Sequence, residues 1–154
     1  MFIMAEDITK SLALAVRKAI ADEWFAQYQY WIGAVIVDDE NEDVVHEFVQ
    51  HEQEEWDHAT ELAGWLRGIP RVERLPYSLS ELPHKQHCGY IWPSGNTRQA
   101  VVNDAIKGEK CAINFYETTL QRISGNTYYG PDIGSLLEEI LAKEKEHLRD
   151  LGKL

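Results

Sequence analysis

The segment HEQEEWDHATEL, residues 51–62, carries a glutamate and a histidine three positions apart, Glu55 and His58. The segment LLEEILAKEKEHLRDL, residues 136–151, repeats the Glu-x-x-His spacing with Glu144 and His147. In a helix, side chains at positions i and i+3 lie on the same face, so each segment presents a carboxylate beside an imidazole. The two motifs therefore predict two helices whose polar groups can face a common interior.

A single Glu-x-x-His motif is weak support, because the chain has 17 Glu and 6 His among its 154 residues. About 0.7 copies are expected by chance at that composition. A third copy, Glu81 with His84, contains Pro83, and proline disfavours a helix there. That copy is interpreted as accidental.

An internal repeat makes the two helical copies more convincing. A glutamate, Glu23 or Glu109, precedes the motif of each half by 32 or 35 residues. EWFAQYQY, residues 23–30, aligns with EKCAINFY, residues 109–116: Glu stands first, Ala three positions later and Tyr seven later. Each half of the chain is predicted to be a helical hairpin with one Glu and one Glu-x-x-His.

Apolar residues that recur at three and four positions, together with the placement of Pro and Gly, predict four helices. Their expected ranges are 5–37, from the acidic turn 38–43 to about 66, from 96 or 97 to 124, and from 131 or 132 to about 151 or 152. Residues 69–94 hold four of the five prolines and are predicted to be a long connection with a short helical turn at 78–82. Two short turns around one long crossover predict an all-α, single-domain four-helix bundle over residues 1–154, with the second and third helices parallel.

The predicted ligands share helix faces with apolar residues such as Ile20, Ile106 and Ile140. Buried carboxylates are costly unless cations lie between them. Four carboxylates carry a charge of −4, which two divalent ions would neutralise, and oxygen ligands combined with imidazole suit iron or manganese. The predicted metal ligands are Glu23, Glu55, His58, Glu109, Glu144 and His147.

Over nearly the whole chain these residues resemble the ferritin superfamily, and in particular the di-iron site of bacterioferritins. The roles that the resemblance implies are terminal ligation of one iron by Glu23 and His58, terminal ligation of the other by Glu109 and His147, and bridging by Glu55 and Glu144. Tyr30 and Tyr116 are expected to lie just outside the ligands, near the carboxylates.

Three differences from bacterioferritins indicate which members of the superfamily the chain resembles most. Bacterioferritins have a haem-ligating Met where Trp56 stands, so no haem is expected. Seven residues follow His147, too few for the fifth helix of 24-subunit shells, which favours a twelve-subunit homo-oligomer of the Dps type. Cys88 and Cys111 resemble the cysteine pair of the Dps-like proteins called thioferritins.

Two assignments keep alternatives open. Two helical positions rotate by about 200°, so Cys111 points away from Glu109 and is a poor metal ligand. It can meet Cys88 as a redox thiol pair where the crossover passes, or the two are unrelated buried thiols. His51, one turn before Glu55, is either an outer ligand or a hydrogen-bonded core histidine. The remaining histidines, interpreted as surface or crossover residues, are His46, His84 and His87.

The net charge of −11, from 26 acidic and 15 basic residues, argues against DNA binding and favours cationic ligands. Charged residues such as Glu6, Asp7, Arg17 and Lys18 interrupt the start of the chain, which indicates neither a signal peptide nor a membrane span. A cytoplasmic protein is expected.

The resemblance implies a ferroxidase that oxidises ferrous iron with hydrogen peroxide or dioxygen, stores iron and protects against oxidative stress. A manganese catalase-like peroxide dismutase could use the same ligands. Further alternatives are a 24-subunit ferritin or bacterioferritin, a DNA-protecting Dps protein, and a di-iron oxygenase or rubrerythrin-like reductase. The absence of a Cys-x-x-Cys pair disfavours rubrerythrin.

Overall fold

The computed structural model describes residues 5–38, 40–69, 88, 90, 93–123 and 130–154. Its helices are α1 (Ala5–Ile36), α2 (Glu42–Gly68), α3 (Arg98–Ile123) and α4 (Gly130–Leu151). The prediction of an all-α four-helix bundle is confirmed, and the described helix ends lie within about two residues of those expected. The predicted end of the third helix at Ser124, the helical turn at 78–82, His84 and His87 lie outside the described residues, and the single-domain assignment stays a prediction.

The first two helices form an antiparallel hairpin. The rings of Trp24 and Trp56 lie 5.2 Å apart between centroids, and further along the hairpin Gly33 lies against Phe48. A Cβ atom on Gly33 would lie 2.8 Å from Cε2 of Phe48, closer than side-chain atoms normally approach. Glycine is therefore needed at this position for α1 and α2 to pack this closely.

Hydrogen bonds across the bundle fix the direction of α3. Tyr30 bonds Glu109, and Tyr116 bonds Glu23, so α3 runs antiparallel to α1. Because α2 is also antiparallel to α1, α2 and α3 are parallel. The end of α2 and the beginning of α3 therefore lie at opposite ends of the bundle.

Hydrogen bonds hold the end of the connection against the first turns of α3. The backbone nitrogen and the hydroxyl of Ser94 both donate hydrogen bonds of 2.9 Å to Oδ2 of Asp104. Thr97 caps the helix, since its Oγ1 accepts a 3.2 Å hydrogen bond from the backbone nitrogen of Ala100. These bonds place the beginning of α3 one or two residues after the position expected from the sequence.

Two apolar clusters fill the bundle, one towards each end. At one end the cluster includes Leu12, Leu62, Leu137 and Ile140, and at the other end it includes Val44, Phe48, Val102 and Leu151. The buried glutamates and histidines lie between the two clusters. The apolar side chains stabilise the bundle from both ends and hold this polar layer in place.

Within the described parts of the chain, none of the helices has a stretch long and apolar enough to cross a membrane.

Candidate metal centre

The structure brings all six predicted ligands together in the middle of the bundle. Each is at most 6% exposed. We call this set the six-residue cluster: Glu23, Glu55, His58, Glu109, Glu144 and His147. Its potential ligand atoms fall into two overlapping groups, each with all its members within 4.8 Å of one another, and Glu55 and Glu144 belong to both groups.

The first group surrounds Nδ1 of His58. This nitrogen lies 3.1 Å from Oε1 of Glu144, 3.2 Å from Oε2 of Glu55 and 3.5 Å from Oε2 of Glu23. Three carboxylates from three different helices thus converge on one ring nitrogen.

The second group surrounds Nδ1 of His147. This nitrogen lies 3.2 Å from Oε1 of Glu55, 3.3 Å from Oε1 of Glu109 and 3.4 Å from Oε2 of Glu144. Glu55 and Glu144 therefore each turn one oxygen towards His58 and the other towards His147. A carboxylate oriented in this way can bridge two metal ions, whereas Glu23 and Glu109 each reach only one of the two histidines.

Two tyrosines orient the carboxylates that do not bridge. The hydroxyl of Tyr30 donates a hydrogen bond to Oε1 of Glu109, and the hydroxyl of Tyr116 donates one to Oε1 of Glu23. Burial and the nearby carboxylates raise the pKa of both phenols well above the usual range. Both tyrosines therefore stay protonated and act as donors, at the positions expected from the sequence.

Protons balance the charge of the cluster when no metal is bound. Burial, followed by the charge of Glu55, raises the pKa of Glu23 to about 7, although His58 opposes this shift. Burial and neighbouring carboxylates also raise the pKa of Glu109 and Glu144. Burial lowers the pKa of each histidine, but hydrogen bonds to the surrounding carboxylates outweigh it and raise both pKa values well above the ordinary range.

The unpaired atoms of the cluster test whether metal ions would fit. Buried atoms without a well-aligned hydrogen bond include Oε1 of Glu55, Oε2 of Glu109, both oxygens of Glu144 and Nδ1 of His147. Leaving such atoms unsatisfied is costly. Divalent cations between them would satisfy their lone pairs, and carboxylate oxygen with imidazole nitrogen suits iron or manganese. The donor set fits two such ions.

Glu54 is a functional candidate that sequence reasoning missed. Its Oε2 lies 2.6 Å from Nε2 of His147, so the outer ring nitrogen of His147 donates to Glu54 and the inner one is left for a metal. Carboxylates that fix a metal-binding histidine in this way are common in metal sites. No sequence pattern singled it out, because Glu54 is one of several acids beside Glu55 and its partner lies on α4.

The cysteines and their surroundings cover the cluster on the side of α1 and α3. Cys88 and Cys111 form a disulfide with a Cα separation of 5.6 Å, so the chain at Cys88 lies against α3. The backbone nitrogen of Cys88 donates a 2.8 Å hydrogen bond to Oδ1 of Asp22. Nearby, the buried ring of Tyr90 lies against Gly108. The sequence did not single out Asp22, Tyr90 or Gly108.

An acidic cavity leads to His58 between α2 and α4. Its volume is about 430 Å³. The charged residues that line it beside His58 are Glu54, Asp57, Glu61, Glu139, Lys143 and Glu146. Five carboxylates and one ammonium group give this entrance a negative charge that attracts cations.

His51 lies next to the six-residue cluster. It is fully buried, its Nε2 lies 3.1 Å from Oε1 of Glu47, and its ring stacks on that of His147 at 4.1 Å. Burial, followed by the charge of His147, lowers the pKa of His51 to about 3, so its imidazole is neutral. His46 is exposed at the surface of α2, as predicted.

Comparisons with known proteins agree with the four-helix fold. The family model of the ferritin-like domain matches residues 13–154. The chain is similar to the dodecameric thioferritin of Bacteroides fragilis, a bacterioferritin-related protein, with 31% identity over 94% of this chain and 84% of that chain and a TM-score of 0.83.

A second solved structure shows the same fold. It is the Dps protein of Vibrio cholerae O1, a member of a broad superfamily of ferritin-like diiron-carboxylate proteins, with 12% identity, coverage of 99% of this chain and 98% of that chain, and a TM-score of 0.80. A search of curated protein sequences found no significant match. With four helices around a buried carboxylate and histidine cluster, and with a family match over most of its length, the chain belongs to the ferritin-like family.

Proposed function

We propose that the protein is a ferroxidase that binds two ferrous ions in the six-residue cluster of one chain and oxidises them. The observation that carries this proposal is the orientation of Glu55 and Glu144, which each direct one oxygen to the His58 side and the other to the His147 side. Glu23 and His58 would complete the first iron position, and Glu109 and His147 the second.

Two adjacent ferrous ions match the electron demand of peroxide. Each ferrous ion gives one electron, so two ions supply the two electrons that convert one hydrogen peroxide and two protons into two water molecules. Ferrous iron is thus the reductant and becomes ferric iron. Dioxygen is the other candidate oxidant. Delivering both electrons together avoids release of a hydroxyl radical, which is the basis of the proposed role in protection against oxidative stress.

The protein residues hold the ions and limit access to them. Tyr30, Tyr116 and Glu54 fix the orientation of Glu109, Glu23 and His147. The apolar clusters on both sides exclude water from the rest of the core. The acidic cavity beside His58 provides an attractive entrance for ferrous ions from solvent.

Storage of the ferric product requires a closed shell, and we propose a twelve-subunit shell for this protein. The similar thioferritin is dodecameric. Large apolar side chains are exposed on α1 and α2, namely Trp24, Trp31, Val35, Val49 and Trp56. An apolar surface of this kind is typical of an interface between protein chains. Twelve copies of the 17.7 kDa chain would scatter light as a particle of about 212 kDa, and 24 copies as about 425 kDa.

Stopped-flow oxidation tests the ferroxidase proposal. Ferrous iron added without oxygen should bind at two ions per chain and then be oxidised rapidly when peroxide or dioxygen is mixed in. Glu55→Ala and Glu144→Ala should lose the fast phase but keep their helical circular dichroism, whereas Glu138→Ala, which removes an exposed acid of α4, should not. Binding of one ion per chain, or full activity in both bridging variants, would contradict the proposal.

Two further measurements address the choice of metal and the expected absence of haem. Rapid disproportionation of peroxide by the manganese-loaded protein, without iron oxidation, would favour the catalase alternative. Because Trp56 stands where bacterioferritins ligate haem, the purified protein is expected to lack haem absorbance. The cytoplasmic location stays a prediction.

A further inference from the structure

We propose that Glu47, His51 and Asp150 form a third divalent-cation site, next to the six-residue cluster and separate from its ligands. We call these three residues the His51 group. Each contributes a potential ligand atom, and these atoms lie within 4.8 Å of one another. The group combines two carboxylates with an imidazole, a donor set that suits zinc, iron or manganese.

The burial of His51 distinguishes the His51 group from an ordinary acidic patch. Its side chain is fully buried, and its Nδ1 has no hydrogen-bond partner. The carboxylates of Glu47 and Asp150 are only partly buried, so a cation can reach them from solvent. The nitrogen that faces Glu47 is Nε2, at 3.1 Å, so a buried ring nitrogen stands beside carboxylates that solvent can reach.

The hydrogen bonds of His51 show how a cation would be accommodated. Nε2 of His51 lies 3.1 Å from Oε1 of Glu47. A cation bound at Nε2 would leave the ring proton on Nδ1. A ring nitrogen of His51 lies within 4.8 Å of an oxygen of Glu109, and Oε2 of Glu109 also lacks a partner.

The resulting Nδ1–H group could therefore donate towards Glu109. A metal-binding histidine usually donates its other ring N–H to a carboxylate in this way. Nδ1 of His51 and Oε2 of Glu109 both lack a hydrogen-bond partner in the metal-free protein.

Among the described residues, the ammonium group that pairs with the His51 group can leave. Nζ of Lys153 lies 3.2 Å from Oδ1 of Asp150, but its side chain is 75% exposed. An exposed ammonium group of this kind contributes little stability and can swing into solvent. A divalent ion would then neutralise the two carboxylates.

The position of the His51 group also suggests what the third cation does. Residues 47 and 51 lie on α2 and residue 150 lies on α4, the two helices whose residues line the acidic cavity. His51 stacks on His147. If the proposed ferroxidase function holds, the His51 group gives ferrous iron a binding place beside the His147 position before or after oxidation.

Zinc binding tests this site without any redox chemistry. Equilibrium dialysis of the full protein with Zn²⁺ should give one more bound ion per chain in the wild type than in Glu47→Gln or Asp150→Asn. The matched control Glu138→Gln should bind as many ions as the wild type. A crystal grown with Zn²⁺ should show an anomalous peak about 2.0 Å from Nε2 of His51.

A further variant distinguishes the His51 group from the six-residue cluster. Glu55→Ala should lose zinc from the cluster but keep the ion at His51, so the two proposals can fail independently. Equal zinc content in the wild type, Glu47→Gln and Asp150→Asn would overturn the third site. An anomalous peak at the six-residue cluster without one at His51 would overturn it as well.

Discussion

Glu54 accepts a hydrogen bond from His147 across the interface between α2 and α4, with 2.6 Å between Oε2 and Nε2. The bond fixes the imidazole so that its Nδ1 faces Glu55, Glu109 and Glu144. Among the described residues, His58 has no carboxylate partner on its outer nitrogen and instead borders the acidic cavity. His58 and His147, the equivalent histidines of the internal repeat, therefore differ in what contacts their outer ring nitrogens.

This difference predicts unequal effects on the two metal positions. Glu54→Gln should weaken metal binding at the His147 position by about 10- to 100-fold, because a glutamine holds the imidazole less firmly than a carboxylate does. The His58 position should change little. Titration with Zn²⁺ or Co²⁺ in a calorimeter should then resolve two unequal sites within the six-residue cluster. Asp57→Asn, which removes a carboxylate from the same cavity without touching a histidine, is the matched control, and an equal loss in this variant would show that cavity charge alone is responsible.

The disulfide predicts a second effect, on stability. Cys88 and Cys111 are 23 residues apart in sequence, and closing a loop of this size stabilises a protein by roughly 3 kcal/mol when the constraint acts on the unfolded chain. The double variant Cys88→Ser with Cys111→Ser should unfold at a lower urea concentration. A reducing agent should lower the midpoint of the wild type and leave that of the variant unchanged.

Hydrogen exchange locates the same effect within the structure. The amide of Cys88 is bonded to Asp22. Loss of the disulfide should therefore increase the exchange rate of the amide at position 88 more than the exchange rates of amides in the helix cores. If the urea midpoints and the Cys88 amide exchange are the same with and without the disulfide, the bond does not hold the crossover.

Gly108 provides a third prediction. A Cβ atom there would lie 2.4 Å from Cε1 of Tyr90, and Tyr90 lies two residues after the disulfide-bonded Cys88, so its ring has little freedom to retreat. Gly108→Ala should destabilise the protein by about 1–3 kcal/mol. Truncation of the ring in the double variant Gly108→Ala with Tyr90→Ala should make the alanine itself less costly than it is in the wild-type background.

Gly64 is the matched control for this substitution. It lies in α2, and a Cβ atom there would meet no atom of a neighbouring element within 4 Å, so Gly64→Ala should stabilise the helix by about 0.5–1 kcal/mol. Chemical denaturation of these three variants, with Tyr90→Ala as the reference for the double variant, measures both signs. A stabilising Gly108→Ala would show that the close packing of Tyr90 on α3 is not required.

The six-residue cluster could be predicted from the sequence because its signal is local. Glu55 and His58 lie on one helix face by spacing alone, and the internal repeat supplied Glu23 and Glu109 as their counterparts. Glu54, Asp22 and Tyr90 carried no such signal, because each acts through a contact with an element distant in the chain. Helix ends were predicted to within a few residues for a similar reason: the caps, such as Thr97, are local, whereas the exact ends depend on packing.

The last prediction concerns pH and metal binding together. Above the ordinary histidine pKa of 6.5, every shifted group of the cluster acts in the same direction on the metal-free protein. Glu23, with a folded pKa of about 7 against an ordinary value of 4.5, contributes stability that is present below pH 4.5 and is lost as the pH rises through about 7. His58 and His147 have raised pKa values, so their contribution is present below 6.5 and is lost as the pH rises further.

His51 acts in the opposite direction but at lower pH. Its folded pKa of about 3 lies below the ordinary value, so its contribution is lost as the pH falls from 6.5 and is complete above that pH. In the range from about pH 6.5 to 8.5 the free energy of unfolding of the metal-free protein should therefore fall, mainly through His58 and His147. Glu23 loses its contribution, on the order of 3 kcal/mol, mostly between about pH 4.5 and 7.

Metal ions should reverse this dependence, because they replace the protons that the cluster loses and bind more tightly as those protons leave. The increase in unfolding temperature on adding Zn²⁺ to chelator-treated protein is thus expected to be larger at about pH 8.5 than at about pH 6.5. Glu23→Gln cannot titrate at this position, so between about pH 4.5 and 7 the metal-free variant should not lose the stability that the wild-type carboxyl loses there. If the unfolding temperature of the metal-free wild type rises across this range instead, protons do not serve as the counter-ions of the buried carboxylates, because a cluster charge-balanced by protons must become less stable as they are removed.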